Sequence, residues 1–297
     1  MISLLALLAA IASAPSDNAS RLAADVRDFA VPHRSWRDPQ RLDSLAGLFR
    51  RRVEASGFTC ADQPFAVGGT TYRNIECTVP GRTDSVLVVG AHYDAAGPGP
   101  GADDNASGVA GLLDLARRFA SDTPKPRFTV LLVAYSLEEP PFYGTADMGS
   151  AHHARALSAS GAKVVGMVSL EMIGRFGRDQ PQKYPPGFPM AGRRKGGDFY
   201  AAVSDTASAD LAESFRHMAV RVGSIAVIRH SAVEGTAWSD HMNYWPHGWP
   251  AFMITDTGFL RNGDYHTARD TPEKLDYHAM DKLLGIVHQW VLDPGVR

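Results

Sequence analysis

The sequence predicts an α/β protein, a three-layer sandwich around a mixed central sheet that is mostly parallel. Three observations carry this. From residue 85 onward, short apolar runs alternate with stretches of helical periodicity, the pattern of successive βαβ units. The first of these runs, Val86-Leu87-Val88-Val89, is apolar at every position, as in a strand buried on both faces. The chain of 297 residues is 44% hydrophobic and 21% charged, an ordinary globular composition with enough length for one large domain.

Taken in order, residues 1–14 (MISLLALLAAIASA) form an apolar run ending in the small-x-small pattern Ala12-Ser13-Ala14, which reads as a secretory signal. An uncleaved N-terminal anchor is the alternative, since no Lys or Arg precedes the run; it is short for a membrane-spanning helix. The expected location is secreted or periplasmic, with residues 15–297 as a single domain. A helix is expected over 16–30, with Leu22, Val26 and Phe29 on one face. Asp38-Pro39 caps a second helix carrying Leu42, Leu45, Phe49 and Val53, closed by Gly57. Residues 58–66 and 71–79 read as a hairpin through Gly68-Gly69. Cys60 and Cys77, the two cysteines of the chain, are centred on that glycine pair and face each other in a symmetric hairpin, so a disulfide is expected in an oxidising compartment. Strands are then placed at 85–90, 127–134, 163–169 and 250–255, with a shorter one at 224–228. Helices are placed at 107–120, about 145–158, 207–222 and 277–292. The stretch 174–197, rich in Gly, Pro, Arg and Lys, is too long for a plain connection and reads as a surface insertion, a candidate lid.

The functional signal is where polar residues fall. VLVVGA leads into His92 and Asp94. FTVLLVAYSL leads into Glu138-Glu139, VVGMVSL into Glu171, and AFMITD, after ten residues, into Tyr265-His266. A Gly- and Pro-rich loop ending in Asp103-Asp104-Asn105 returns carboxylates to the mouth of the next helix. Imidazoles and carboxylates thus gather at the C-terminal ends of separate strands, the edge where open α/β sheets bind ligands. Two His, one loop Asp and two strand-end Glu exceed what one tetrahedral ion with an open position takes, and suit two ions sharing a carboxylate. The set holds no thiolate, which excludes Fe–S chemistry and favours Zn²⁺, with Mn²⁺ or Co²⁺ as alternatives.

At these residues the chain resembles the co-catalytic zinc aminopeptidases, the family-28 metallopeptidases. The matching pieces are AHYDAAGPGPGADDNASG, LEEPPFYGTADMGS, SLEMIG, SDHMNYWPHGWPAF and YHTARDTPEKLDY, in the family's order. The resemblance implies a zinc-aminopeptidase-like (phosphorylase/hydrolase-like) fold holding two Zn²⁺. It implies Asp104 as the bridging ligand, His92 and Glu171 completing one site, and Glu139 and His266 completing the other. Asp94 would orient His92, Glu138 would be the general base, and Tyr265 would hydrogen-bond the oxyanion. A non-proline cis peptide after the bridging Asp, here Asp104–Asn105, is also implied. Glu171 departs from the Asp of many members by one methylene.

The expected partner is a peptide substrate. A net charge of −2, with Arg50-Arg51-Arg52 and Arg193-Arg194-Lys195 as the basic triplets, argues against a nucleic-acid face. Rival readings are a glutaminyl cyclase-like enzyme, a carboxypeptidase of the same family, and a non-catalytic binding domain. The cyclases tend to carry a Trp before the ligand His, where this chain has Tyr265, and non-catalytic relatives have lost ligands that are all present here. His152-His153 reads as a surface pair, His217, His278 and His288 as structural, and Asp240-His241 as bracing the site.

Overall fold

The computed structural model describes residues 18–121, 124–185, 188, 193–222, 227–231 and 235–295. The signal reading for residues 1–14 lies outside these. Among the described residues no helix is long and apolar enough to cross a membrane.

The elements run α1 (Asn18–Phe29), α2 (Pro39–Ala55), β1 (Thr59–Val67), β2 (Thr70–Val79), β3 (Val86–His92), α3 (Gly108–Ser121), β4 (Thr129–Tyr135), α4 (Gly149–Ala159), β5 (Val164–Glu171), β6 (Tyr200–Ser204), α5 (Ala209–Val222), β7 (Val227–Ser231), β8 (Ala251–Thr255) and α6 (Tyr277–Leu292). Among the described residues the strands form one eight-stranded sheet, ordered β1-β2-β4-β3-β5-β8-β6-β7. β4-β3-β5-β8 run parallel, and so does the β6–β7 pair. β1–β2, β2–β4 and β6–β8 are antiparallel.

Alternation along the central strands builds the three layers. Leu87, Val89 and Ala91 of β3, with Val130, Leu132 and Ala134 of β4, face one core, which α1, α2, α3, α5 and α6 cover. Val88, with Leu131, Val133 and Tyr135, faces the other, covered by α4 and the turns around Tyr244. This is why VLVV is apolar throughout: consecutive side chains enter opposite cores. The caps follow the sequence reading. The Asp38 side chain accepts the Arg41 N–H at the start of α2, and Gly57 takes φ 90° beyond its end.

Three expectations need correction or extension. β6 was not foreseen. It is a five-residue strand, Tyr200 followed by smaller residues, directly after the insertion, with neither alternation nor flanking turn signals strong enough to mark it. The strand expected at 224–228 lies at Val227–Ser231, and residues 224–226 are outside the described set. His152-His153 is not a surface pair. His153 is wholly buried, with Nδ1 2.6 Å from the Tyr244 hydroxyl and Nε2 2.8 Å from Glu76 Oε2, while His152 stacks on Phe65. Both readings of α4 are helical; its histidine partners come from β2 and a distant turn, which local periodicity does not register.

Cys60 and Cys77 are directly opposite in the β1–β2 register and are joined as a disulfide. Closing a loop across a sequence separation of 17 constrains the unfolded chain by about 3 kcal/mol in the chain-entropy description. Replacing both with serine should lower the unfolding free energy by about that amount, read in urea titrations with and without reductant. Equal stability of the two proteins would show the bridge to be neutral.

Candidate metal centre

The structure brings together every site residue that the sequence singled out. β3 ends at His92, β5 ends at Glu171, and Glu138-Glu139 follow β4 by a few residues, so adjacent parallel strands deliver all four to one edge. Asp104 arrives in a distorted helical turn, Ala102–Ser107, ahead of α3. His266 arrives on the loop after β8. The Asp104–Asn105 peptide is cis, as the resemblance implied.

Asp104 lies between the two imidazoles, with Oδ1 3.4 Å from His92 Nε2 and Oδ2 3.0 Å from His266 Nε2. Glu171 Oε2 is 3.3 Å from His92 Nε2, and Glu139 Oε2 is 3.1 Å from His266 Nε2. Two groups of ligand-type atoms therefore share Asp104: His92, Asp104 and Glu171, and Asp104, Glu139 and His266. His92, Glu138 and Glu139 form a third grouping. His92 Nε2, His266 Nε2 and Asp104 Oδ2 are buried yet have no aligned hydrogen-bond partner. Leaving such atoms unsatisfied costs about 1–3 kcal/mol each. The donor set of nitrogen and oxygen atoms, with these orphaned atoms facing one another, fits divalent zinc, manganese or cobalt.

Supporting bonds hold each ligand-type group. His92 Nδ1 is 3.2 Å from the Asp94 carbonyl oxygen, which can only accept, so Nδ1 carries a proton and Nε2 is the nitrogen turned toward Asp104 and Glu171. The Asp94 carboxylate lies 3.5 Å from the ring, and it accepts the backbone N–H groups of Glu138 and Glu139, each at 3.1 Å. Asp94 thus sits behind His92 as expected, and it also fixes the turn that aims both glutamates. Glu139 Oε1 accepts the Ala96 N–H, and Glu171 Oε2 accepts the Ser239 hydroxyl at 2.8 Å. Among the described residues no such donor pins the Glu138 carboxylate, whose Oε2 lies 3.8 Å from His92 Nε2.

The electrostatics follow from burial and crowding. Burial opposes the charged form of His92, but the carboxylates of Glu171 and Glu138 outweigh it and raise its pKa well above the usual value. Burial, then nearby carboxylates, pushes Glu138 well above the ordinary carboxylate range and Glu139 up to about 7. Burial and the same carboxylates raise the Tyr265 phenol, which stays a neutral O–H donor, and its ring stacks on His266 at 3.6 Å.

Several functional supports escaped the sequence reading. Asp270 Oδ2 accepts the N–H groups of both Asp103 and Asp104, each at 3.1 Å. The Asn105 side chain donates to the Leu170 carbonyl and accepts from Gly108 and Met172. Arg34 and Ser239 also reach the site. Asp270 and Asn105 stood inside quoted motifs; the neighbourhood of Arg34 carried no signal.

A cavity of about 370 Å³ opens from the centre. Asp104, Glu138, Glu139, Glu171 and His266 line one end, and Met172, Phe199, Ala201, Val203, Met253 and Phe259 give the remainder an apolar wall. Tyr184, Pro185 and Phe188 of the insertion and Trp238 line it too.

Fold and site together define an α/β protein with a buried imidazole–carboxylate centre at the C-terminal edge of its sheet. Residues 74–291 match peptidase family M28, and the chain belongs to that family. Protein YfbL of Escherichia coli (strain K12) is 36% identical over 267 residues, 86% of this chain and 81% of that one. Leucine aminopeptidase 1 of Trichophyton rubrum is 28% identical over 219 residues, 70% of this chain; the chain spans 54% of that protein's length. Among solved structures, LapA aminopeptidase of Legionella pneumophila superposes with TM-score 0.75 at 18% identity, covering 94% of this chain and 73% of that one. Porphyromonas gingivalis glutaminyl cyclase superposes with TM-score 0.69 at 18% identity, covering 92% and 97%.

His241, in the turn following Ser239, gives a pH test of the fold beside the site. It is wholly buried, with Nε2 2.7 Å from the Thr236 carbonyl, and burial lowers its pKa to about 4. The folded value lies below the unfolded one of about 6.5, so the neutral ring stabilises the fold fully above pH 6.5. That contribution is lost as pH falls from about 6.5 to about 4 and amounts to about 3 kcal/mol. His241→Gln keeps the donor to Thr236 and removes the titration. Its unfolding free energy should therefore fall less between pH 7 and pH 4 than that of the wild type; parallel curves would place the acid sensitivity elsewhere.

Proposed function

We propose that the chain is a metal-dependent aminopeptidase, hydrolysing the N-terminal peptide bond of peptides, with two Zn²⁺ or similar ions. The observation that carries this is the position of Asp104, one carboxylate between two imidazoles whose facing nitrogens have no aligned hydrogen-bond partner. His92 and Glu171 would hold one ion and Glu139 and His266 the other, with Asp104 shared. Bound there, divalent ions supply Lewis acidity toward water and the peptide carbonyl.

The chain's own groups do the rest. Glu138, unpinned and facing the cavity, takes the proton of the attacking water and delivers it to the leaving amine. The Tyr265 hydroxyl donates to the developing oxyanion. Asp94 keeps His92 in the tautomer that presents Nε2. The acidic end of the cavity suits a free α-ammonium, and the apolar wall suits the first side chain. Among the described residues four carboxylates line the cavity against one lysine, Lys183, which is exposed; this favours an aminopeptidase over a carboxypeptidase, which needs a clamp for a substrate carboxylate. The likeness to a glutaminyl cyclase keeps a second reading in view, and Tyr265 before His266 favours the peptidase.

Two mutants separate the adjacent glutamates. Glu138→Gln should lower kcat by about 10²–10⁴-fold with metal content unchanged. Glu139→Gln should lower metal content, with added zinc restoring part of the activity. Elemental analysis beside kcat reads the difference, and the reverse pattern exchanges the two roles.

A panel of aminoacyl chromogenic amides tests the substrate class. Leu, Met and Phe amides should be cleaved with kcat/KM at least about tenfold above Gly or Asp amides. N-acetylated substrates should be inert, and complete chelation should abolish turnover. Pyroglutamate formation from N-terminal glutamine, with no release of free residues, would establish the cyclase reading.

A further inference from the structure

Arg34 lies in the connection between α1 and α2, outside residues 74–291, and is wholly buried. Buried arginines are ordinarily paired with carboxylates. Among the described residues none lies within ion-pair distance of this one, and its guanidinium is instead consumed by backbone carbonyls. Nη1 donates to the carbonyls of Tyr93 (2.6 Å) and Asp94 (2.8 Å). Nη2 donates to those of Gly101 (2.5 Å) and Asp104 (3.0 Å), and Nε to that of Pro100 (3.1 Å). The Arg34 carbonyl in turn accepts the Ala95 N–H at 2.8 Å.

All these partners belong to two limbs of one loop. The first limb leaves β3 directly after His92; the second is the turn that carries Asp104. The rigid fork of the guanidinium spans the gap between them, fixing both limbs at once. The turn is packed onto it: Gly101 has φ 60°, and a Cβ there would lie 2.3 Å from the Asp104 carbonyl and 2.7 Å from Arg34 Nη2.

We propose that Arg34 is a positioning residue of the metal centre, setting metal affinity by clamping the backbone of His92–Asp94 to that of Asp104. This rests on the reading of His92 and Asp104 as metal ligands. A lysine keeps the charge but offers a point donor where two limbs need a fork, and a methionine keeps the stem with no donor.

The test is zinc affinity of the metal-free full chain, measured by competition with a chromogenic chelator, for wild type, Arg34→Lys, Arg34→Met and Val53→Ala. Val53, at the far end of α2, is wholly buried in the core and serves as the structural control. Both Arg34 variants should bind zinc about 10–100-fold more weakly, the range expected when a residue supporting a ligand is lost. Val53→Ala should lower the melting temperature yet keep wild-type affinity. If Arg34→Met fails to fold, Arg34→Lys carries the test. Wild-type affinity in a folded Arg34 variant, or an equal loss in Val53→Ala, overturns the proposal. A wild-type protein that binds no zinc overturns instead the metal reading, and the proposal with it.

Discussion

The structure depends on holding five carboxylates out of water beside one another. Asp94, Asp104, Glu138, Glu139 and Glu171 are all buried. Like charges that close in a low dielectric repel strongly, and bare desolvation is costlier still. Two of the five accept backbone N–H groups, Glu171 accepts the Ser239 hydroxyl, and the imidazoles of His92 and His266 face Asp104, Glu139 and Glu171. Asp94 takes the amides of Glu138 and Glu139, Glu139 takes that of Ala96, and Asp270 takes those of Asp103 and Asp104. Charge-assisted bonds of this kind are short, directional and stronger than neutral ones. Each also fixes backbone that carries another site residue, so neutralising one carboxylate positions the next.

Asp103, Asp104 and Asn105 work in three directions from consecutive positions. Asp103 accepts the Gly174 N–H and the Asn262 amide, tying the turn to the segments after β5 and β8. Asp104 faces the imidazoles. Asn105 holds the Leu170 carbonyl and the Met172 N–H at the end of β5, together with the first amide of α3. A regular helix would spread three successive side chains about 100° apart on one cylinder. The turn instead departs from helical dihedrals at Asp104 and Asn105, which lets neighbouring side chains serve separate elements.

How much of this was legible depends on what each residue bonds to. The central strands were legible because burial on both faces forces an unbroken apolar run, and the site residues because they stand at the ends of those runs. The disulfide followed from its symmetry about Gly68-Gly69. β6 was not legible: YAAVS buries small residues without alternation, and its place in the sheet is set by pairing with β8. His153 was misread because its partners, Glu76 and Tyr244, lie on elements remote in sequence. Arg34 left no pattern, and Asp270 stood in a quoted motif without a role. Arg34 bonds to backbone carbonyls and Asp270 largely to backbone N–H groups, which every residue has, so no partner residue type betrays them.

The two halves of the sheet carry different parts of the site. Three of the ligand-type residues, His92, Glu139 and Glu171, come from β3, β5 and the end of β4, whose faces are covered by both helical layers; Asp104 comes from the turn ahead of α3 and His266 from the loop after β8. Much of the cavity wall comes from β6, β8, the insertion and the turn near Trp238. β6 reaches β5 only through β8. A change of side chain at Ala201 or Val203 therefore alters the space open to a ligand while the backbone of His92, Asp104 and Glu171 stays tied to its own amides. Sites with no shared partners respond nearly independently. The geometry thus separates the shape of the wall, much of it on β6 and β8, from the chemistry of the centre, most of which gathers at the ends of β3, β4 and β5.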